Sequence, residues 1–264
     1  MKKTILLGKD LAELIDICID NDLPKFHGSQ LYKWIYQKLI LDIGDMSNIP
    51  SKFKKIISEK YQINLLNIEE EFISDNEDTI KYLFKTNDNK LVESVSMVDK
   101  GRHTICVSSQ IGCSVDCDFC ATGKMGIIRN LNCGEIIQQL IIIKQKRDIP
   151  ITNIVFMGMG EPFLNYKNVI KSCKILNDAN GFNLSSKRIT ISTSGILPKI
   201  KQFIKEGHKY KLAISLNASN NKTRDRLIPI NRKWPIEAIL HSIESYPYKK
   251  YRPIMFEYIL IKDI

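Results

Sequence analysis

Residues 106–131 read CVSSQIGCSVDCDFCATGKMGIIRNL, and three of their cysteines, Cys113, Cys117 and Cys120, are separated by three and by two residues. Three thiolates this close along the chain can hold one face of an iron–sulfur cube and leave one iron open to a further ligand. A structural zinc site normally has four ligands, whereas no histidine follows nearby and Cys133 lies across a predicted loop. The spacing therefore favours an iron–sulfur cluster. Three buried structural cysteines, or zinc with a distant fourth ligand, are the alternatives.

Segments of strand and helix character alternate on the C-terminal side of the cysteines. The predicted strands are Thr152–Met157, Arg188–Thr193, Lys211–Leu216 and Ile254–Ile261. The predicted helices are Cys133–Arg147, Tyr166–Asn177, Pro198–Lys205 and Pro235–Ser245. Together with the strand before Cys113, this alternation predicts five parallel strands joined by crossover helices, an α/β sheet or partial TIM-like barrel. Such a fold has its active site at the carboxyl ends of the strands.

The N-terminal part of the chain has a different pattern of apolar residues. Apolar residues at helical spacing predict the helices Lys9–Asn21, Gly28–Leu39 and Ser51–Tyr61. Alternation with a period of two then predicts the strands Ile68–Ile73, Thr79–Phe84, Lys90–Met97 and His103–Ser109, separated by turn residues. We therefore expect a small helical and antiparallel-sheet domain over residues 1–98 and a larger domain over residues 99–264.

Polar residues follow three of the predicted parallel strands. The first ends in Gly158-Met159-Gly160-Glu161-Pro162, where glycine lets the backbone approach a ligand and Glu161 can accept hydrogen bonds from an amino group. The GMGEP run is equally consistent with a simple turn. The next two strands end near Ser192 and in the run Ser215-Leu216-Asn217. These groups are expected at the mouth of the barrel, where a ribose and a carboxylate can be bound.

Composition narrows the class of protein. Lys plus Arg (39) exceeds Asp plus Glu (29), which suits a polyanionic partner such as RNA or DNA. A solvated basic surface is the other explanation. The opening residues are too short an apolar run for a signal peptide or a membrane span, so we expect a cytoplasmic protein with no membrane partner. Its seven cysteines are then reduced thiols rather than a disulfide framework.

The motifs together resemble the RlmN family of radical S-adenosylmethionine (SAM) RNA methyltransferases. They are CVSSQIGCSVDCDFCATGKMGIIRNL, ITNIVFMGMGEPFLN, RITISTSG, LAISLNA and RLIPIN, with KFHGSQLYKWIYQK in the helical front part. The resemblance covers nearly the whole chain and implies a radical SAM barrel preceded by an accessory domain. It also implies methylation of adenine C2 in 23S ribosomal RNA and in certain transfer RNAs. The choice of C2 over C8 depends on the resemblance alone.

Two cofactors follow from the resemblance. A 4Fe–4S cluster is implied for Cys113, Cys117 and Cys120. Contacts to SAM are implied for Gly160, Glu161, Ser192, Ser215, Leu216 and Asn217. The family commonly has histidine at the position of Asn217, and both side chains can form hydrogen bonds.

The resemblance also implies a reaction course. One SAM methylates a cysteine near the C-terminus, and a radical from a second SAM takes a hydrogen atom from that methyl group. The carbon radical adds to the adenine, and a second cysteine, which corresponds to Cys106, resolves the adduct by forming a disulfide. Without the resemblance, Cys106 is simply a small half-buried strand residue.

Glu93 corresponds to the family's proposed general base. In the strand Lys90–Met97 it shares a face with Leu91, Val95 and Met97, so alternation points its carboxylate toward an apolar side. A desolvated carboxylate has a raised pKa and can act as a base near neutral pH. A glutamate exposed on an edge strand is the alternative.

The remaining cysteines have structural interpretations. Cys18 and Cys173 lie at helical spacing with apolar residues and are expected in the core. Asn132 and Glu135 form a capping-box pattern around Cys133, and a thiol at a helix N-terminus has a lowered pKa. No role in the family matches Cys133, so it is interpreted as structural.

The family pattern places the methyl-carrying cysteine, a final strand and helix, and a further SAM-binding asparagine beyond Ile264. We therefore expect residues 1–264 alone to bind the cluster and SAM without methylating RNA. A truncated remnant that binds cluster, SAM or RNA is the alternative function. A different radical enzyme sharing only the cluster is disfavoured by CVSSQIGC, GMGEPFLN and ISTSG. A reductant such as flavodoxin or ferredoxin and a monomeric state complete the expectations.

Overall fold

The computed structural model describes residues 3–246, 253–262 and 264. Its helices are α1 (Leu11–Ile19), α2 (Phe26–Tyr36), α3 (Ser51–Lys60), α4 (Ala121–Lys124), α5 (Cys133–Lys146), α6 (Tyr166–Asn177), α7 (Leu197–Lys205), α8 (Asn221–Leu227) and α9 (Ile236–Glu244). Its strands are β1 (Thr4–Ile5), β2 (Tyr61–Gln62), β3 (Leu66–Ile73), β4 (Thr79–Thr86), β5 (Leu91–Asp99), β6 (Arg102–Cys106), β7 (Gln110–Gly112), β8 (Ile127–Asn130), β9 (Asn153–Phe156), β10 (Ile189–Thr193), β11 (Lys211–Ser215) and β12 (Met255–Glu257). In this part of the chain no helix is long and apolar enough to cross a membrane.

The main sheet has eight strands in the order β12-β11-β10-β9-β6-β5-β4-β3. Strands β6 and β9 to β12 are parallel neighbours, which confirms the predicted run of five parallel strands. Strands β3 to β6 are antiparallel neighbours, which confirms the predicted antiparallel sheet. Because β6 pairs with β5 on one side and with β9 on the other, the antiparallel and parallel parts form one continuous sheet across the predicted boundary at residues 98 and 99.

The two faces of the sheet differ in chemistry. One face is apolar and is covered by crossover helices; its buried strand residues include Ile105, Ile154, Phe156, Ile191, Leu212 and Ile214. On the opposite face, register places Cys106 beside Val155, and Ser215 beside Glu257. The hydrophobic core therefore lies on the helical side, whereas the polar strand ends meet on the other.

Strand β12 is shorter than predicted, since it ends at Glu257 and not at Ile261. The backbone oxygen of Glu257 accepts the N–H groups of both Leu216 and Asn217, each at 3.1 Å. Beyond it, the N–H of Ile259 donates to the side-chain oxygen of Asn217 at 3.1 Å, so a side chain replaces the backbone ladder. The apolar run that predicted a longer strand continues past this point as exposed chain as far as Leu260, and Ile261 packs against the cluster of Val115, Leu227 and Ile228.

A two-stranded hairpin that the sequence did not predict carries the cysteine loop. Strands β7 and β8 pair on either side of residues 113–126. Gly112 has a φ of +75° and lies against the carbonyl of Gly126, leaving no room for a side chain. The N–H of Cys113 donates to that same carbonyl at 3.0 Å. The hairpin therefore fixes both ends of the loop that holds the three cysteines.

Arg129 on β8 joins this hairpin to two other elements. Its guanidinium donates two hydrogen bonds to Asp88, at 2.8 and 2.6 Å, in the turn between β4 and β5. It donates two more to Glu135, at 2.9 and 2.7 Å, in the first turn of α5. The hydrogen bonds from Arg129 hold the pKa of Asp88 well below its usual value of 3.8.

A pH-dependent contribution to stability follows. Because the folded-state pKa of Asp88 is depressed, its stabilisation is present above pH 3.8 and is lost as the pH falls through the folded value. Asp88→Asn is expected to lower the free energy of unfolding by about 1 kcal/mol at pH 7, since solvent screens this half-exposed pair. The difference from wild type should shrink below about pH 4 in urea titrations. Asp148→Asn is the control, because Asp148 pairs with Lys144 while fully exposed. An Asp88 difference that is equal at pH 3 and pH 7 contradicts the ion-pair explanation.

Candidate active site

A cavity of about 380 Å³ opens at the carboxyl ends of β9 to β12. This volume lies in the usual range for small-ligand sites. The cavity brings together most of the predicted ligand-binding residues, which are Cys113, Cys117, Cys120, Gly160, Glu161, Ser192, Ser215 and Asn217. Leu216, Glu93 and Cys106 are not among the residues that line it. Glu257 lines the cavity as well, and the sequence did not predict it.

The three loop cysteines are partly exposed free thiols held by backbone contacts. The N–H of Cys120 donates to the carbonyl of Cys117 at 3.0 Å. The N–H of Asp118 donates to the carbonyl of Leu227 at 2.9 Å. Burial, and then the neighbouring thiols, raise the pKa of Cys117 to about 12. Burial also raises the pKa of Cys113. A bound metal would favour the thiolate form of these two sulfurs.

The arrangement fits an iron–sulfur cluster better than a single ion. In the part of the chain that the structure describes, no three His, Cys, Asp or Glu side chains lie close enough to hold one metal ion. The three loop thiols nevertheless line one cavity. A cube binds its protein ligands at separate corners, so three thiols around a cavity suit it, whereas zinc needs ligands that converge on one point.

Glu161 is buried, with 4% of its surface exposed, and it links the ends of two strands. One carboxylate oxygen accepts the N–H of Phe163 at 2.9 Å, and the other accepts the N–H and the hydroxyl of Ser194, both at 2.7 Å. Burial raises the pKa of Glu161, and these donors oppose the rise by stabilising the carboxylate. Glu161 therefore holds the β9 and β10 ends together as well as lining the cavity.

Gly160 packs closely against Gln110. Its φ is +95°, and a side chain there would meet Gln110, whose backbone nitrogen lies 2.8 Å from the Cβ position. The side-chain oxygen of Gln110 accepts the N–H of Glu161 at 2.8 Å. The glycine thus lets the strand-end turn pack onto the start of β7, which fixes the backbone before Glu161.

Ser192 and Ser215 share an acceptor. The hydroxyl of Ser192 donates to Oε2 of Glu257 at 2.6 Å, and that of Ser215 donates to the same oxygen at 2.8 Å. Glu257 stands beside Ser215 in the register of β11 and β12. The predicted strand Ile254–Ile261 placed Glu257 in mid-strand, so its position at a strand end could not be seen from the sequence.

Asn217 and Arg224 lie beside the carboxyl end of β11. Asn217 has a φ of +57°, a left-handed conformation that asparagine adopts more readily than most residues. Arg224 is completely buried and donates to the carbonyls of Leu216 (2.9 Å), Ser194 (2.6 Å) and Ser215 (3.1 Å). It also donates to the side chain of Asn231 at 2.8 Å. The sequence did not predict a role for Arg224.

Glu93 shares a face with Leu91, Val95 and Met97, as predicted, but this is the more exposed face of β5. The buried face is the opposite one. The expectation of a desolvated carboxylate is therefore wrong: 43% of the Glu93 side chain is exposed, and it pairs with Lys81 at 3.1 Å. The alternation along β5 was predicted correctly, but the apolar residues on the same face as Glu93 are themselves partly exposed.

Cys106 ends β6 as a free, partly exposed thiol on the same face of the sheet as Glu93. Register places Cys106 opposite Val95, two residues from Glu93. Burial raises the pKa of Cys106 to about 11, against a hydrogen bond from the backbone of Met157. The residue is therefore a thiol, not a thiolate, at neutral pH.

The other cysteines are buried, as predicted for Cys18 and Cys173. The capping box of Asn132 and Glu135 at the start of α5 is confirmed. The lowered pKa expected for Cys133 is wrong, because burial raises it to about 12. Its thiol accepts a hydrogen bond from Ser172 at 3.3 Å. Loss of solvent outweighs the favourable field of the helix N-terminus.

Two family models match the chain. Residues 107–263 match the radical SAM superfamily, which defines the class of the parallel strands and their cysteine loop. Residues 4–63 match the N-terminal domain of ribosomal RNA large subunit methyltransferases. A crystal structure of a radical SAM methyltransferase from Sphaerobacter thermophilus superposes with a TM-score of 0.94 at 37% identity, covering 99% of this chain and 77% of that one.

Curated relatives give the finer identification. A protein of Dictyoglomus thermophilum, described as a probable dual-specificity RNA methyltransferase RlmN, is 43% identical over 98% of this chain and 74% of its own length. The dual-specificity RNA methyltransferase RlmN of Nautilia profundicola is 40% identical over 100% of this chain and 77% of its own length. The chain thus spans about three quarters of the length of these relatives. It belongs to the RlmN family of the radical SAM superfamily.

Proposed function

We propose that this protein uses SAM and a 4Fe–4S cluster to methylate C2 of adenine in 23S ribosomal RNA and in transfer RNA. The observation that carries the proposal is the cavity at the strand ends. Three cysteines with iron–sulfur spacing line it together with two carboxylates and a row of polar strand ends. The names of the RlmN relatives support an RNA substrate.

The charge of the cavity supports SAM as the small-molecule ligand. Glu161 and Glu257 line it, and among the described residues no lysine, arginine or histidine does. This is unusual in a chain with a formal charge of +10, and it favours a cationic ligand over a nucleotide with phosphate groups. SAM carries a sulfonium and an ammonium group. A 4Fe–4S cluster held by Cys113, Cys117 and Cys120 would supply the electron for radical chemistry with SAM.

Glu93 and Cys106 are proposed to act on the RNA base. Glu93 would accept the proton from the adenine carbon as the adduct returns one electron to the cluster. Cys106 would then attack the sulfur of the methyl-carrying cysteine, so that a disulfide forms while the bond from that sulfur to the transferred carbon breaks and the carbon takes up a proton. Their common face and the half-exposed carboxylate support this, because an adenine that belongs to a large RNA must be reached from solvent. The backbone N–H of Glu93 contacts the sulfur of Met159 at 3.3 Å, which ties the residue to the GMGEP turn.

Exposed rings at the cavity support a nucleobase substrate. Phe119 and Tyr258 line the cavity, and 37% and 52% of their surfaces are exposed. Aromatic rings at such a mouth can stack on an unpaired base. The positive net charge suits the RNA backbone. We further propose a one-electron donor such as flavodoxin or ferredoxin, a cytoplasmic location and a monomeric state.

Methylation of RNA by purified protein that contains this chain together with the methyl-carrying cysteine tests the function. With SAM, a reductant and transcripts of 23S ribosomal RNA and transfer RNA, we expect 2-methyladenosine in nuclease digests analysed by mass spectrometry. Cys106→Ala should lower product release at least a hundredfold, because no thiol remains to resolve the adduct. Cys18→Ala is the matched control, since Cys18 is buried in α1 away from the cavity. Formation of 8-methyladenosine, or equal rates for the two variants, contradicts the proposal.

A further inference from the structure

Arg224 carries a positive charge in the interior of the protein. None of its surface is exposed, and its hydrogen bonds go to backbone carbonyls and to the side-chain oxygen of Asn231. In the part of the chain that the structure describes, no carboxylate accepts a hydrogen bond from it. A guanidinium stays protonated in proteins, and burying an unpaired cation is costly. Such a charge is therefore expected to have an anionic partner nearby.

Helix α8 places this charge behind the cysteine loop. Leu227 lies one turn after Arg224 on the same buried face of the helix. The carbonyl of Leu227 accepts the N–H of Asp118 at 2.9 Å. The side chain of Leu227 belongs to one apolar cluster with Val115, and Cys117 packs against that cluster. The buried face of α8 is therefore in contact with the loop that holds the three cysteines.

The guanidinium of Arg224 lies directly behind the wall of the cavity. It donates to the carbonyls of Ser194 at 2.6 Å and Ser215 at 3.1 Å, and both of these residues line the cavity. Burial lowers the pKa of Arg224, and the charge of the Cys117 thiolate opposes this effect more than that of Asp225 does. The anionic partner of the buried cation is therefore a sulfur of the cysteine loop.

The charges that line the cavity are negative. Glu161 and Glu257 line it, whereas no lysine, arginine or histidine does among the described residues. A cluster held there by thiolates becomes one unit more negative when it takes up an electron. A fixed positive charge favours that reduced state, because opposite charges attract more strongly where water is excluded. Nearby charge is one of the means by which a protein sets the potential of an iron–sulfur cluster.

We propose that Arg224 is the counter-charge of the iron–sulfur cluster and raises its reduction potential, so that a one-electron donor reduces it more readily. This inference rests on the proposed function, because it assumes a cluster on Cys113, Cys117 and Cys120. Arg224 does not line the cavity, so it acts through its electric field and not by contact with a ligand. The donor supplies the single electron, and no bond to Arg224 forms or breaks.

The midpoint potential of the cluster tests the proposal. It is measured without SAM or RNA, by titrating anaerobically reconstituted protein with dithionite and recording the EPR signal of the reduced cluster. Arg224→Gln removes the charge but keeps a hydrogen-bond donor. At one fixed solution potential, the ratio of reduced to oxidised cluster should fall about tenfold, which is about 59 mV for one electron. Arg224→Lys keeps the charge and should have nearly the wild-type potential.

Two controls separate the local charge from net charge and from packing. Arg226→Gln removes the same formal charge from the exposed side of α8 and should leave the potential unchanged, because solvent screens it. A second pair of variants leaves Arg224 in place. Nη1 of Arg224 donates to Oδ1 of Asn231 at 2.8 Å, so Asn231→Asp puts a carboxylate against the guanidinium. Asn231→Asp should lower the potential as Arg224→Gln does, whereas the neutral Asn231→Leu should not.

The potentials decide between charge and packing. Equal potentials in wild type, Arg224→Gln and Asn231→Asp overturn the proposal. It is also overturned if Arg224→Gln and Arg224→Lys shift the potential equally, or if Asn231→Asp and Asn231→Leu do, because packing then sets the potential. Failure of the proposed function differs, since RNA then stays unmethylated while the potential keeps its dependence on the charge of Arg224.

Discussion

Protein in which Cys117 is replaced by alanine is expected to lose nearly all of the iron and sulfide that the wild type takes up. Wild type reconstituted without oxygen should bind about four irons per chain. The three loop cysteines line one cavity, and no other cysteine lines it among the described residues. Cys117→Ala therefore leaves two thiol ligands with no substitute, and the cube loses the three-point attachment that holds it. Iron and sulfide assays with the visible absorption spectrum measure the effect.

Cys106→Ala is the control for the loss of iron in Cys117→Ala. Cys106 lies seven residues before Cys113 and, like it, is a partly exposed free thiol. It ends β6 outside the cysteine hairpin, so its loss should leave the iron content unchanged. Cluster retained in Cys117→Ala, or lost equally in Cys106→Ala, contradicts the ligand assignment. The first outcome favours three structural cysteines, the alternative that the sequence left open.

The parallel half of the fold could be predicted because its signals are local. Each of the predicted strands and helices after Cys120 has its own apolar pattern, and the bounds of α6 were predicted to the residue. The cysteine spacing is also local and needs no knowledge of the fold. Polar residues after the strands were correctly expected to meet, because parallel strands end at the same edge of a sheet.

Other features depend on contacts between distant residues and could not be predicted. The continuous sheet needs β6 to pair with both β5 and β9. The exposure of Glu93 depends on which face of β5 the helices cover, and alternation alone does not say which face that is. Glu257 lies at a strand end only because β12 ends there, where the side chain of Asn217 accepts the N–H of Ile259. In each case tertiary packing decides what a local pattern leaves open.

Arg224→Met is expected to destabilise the folded protein on the order of 3 kcal/mol or more. Arg224 is completely buried, and its guanidinium satisfies the carbonyls of Ser194, Ser215 and Leu216. Methionine fills much of the same volume but donates no hydrogen bond, so these buried acceptors lose a partner. The cost of an unsatisfied buried polar group, not the loss of charge, dominates the effect.

The same helix provides a matched control. Arg226 lies two residues farther along α8 and is exposed, so Arg226→Met should change the free energy of unfolding by no more than about 0.5 kcal/mol. Arg224→Lys should recover only part of the loss, because an ammonium on a flexible stem cannot reproduce the guanidinium fork. Urea titrations of the reconstituted proteins measure all three.

The position of Arg224 also predicts that its replacement disturbs the strand ends that line the cavity. Its acceptors include the carbonyl of Ser194, just after β10, and that of Ser215, the last residue of β11. Ser194 is also the residue that donates to Glu161. SAM affinity should therefore fall in Arg224→Lys even where the protein remains folded, whereas Arg226→Met should keep both stability and affinity. If Arg224→Met and Arg226→Met unfold at the same urea concentration, the buried guanidinium does not hold the strand ends together. In that case, the cavity owes its shape to the strands alone.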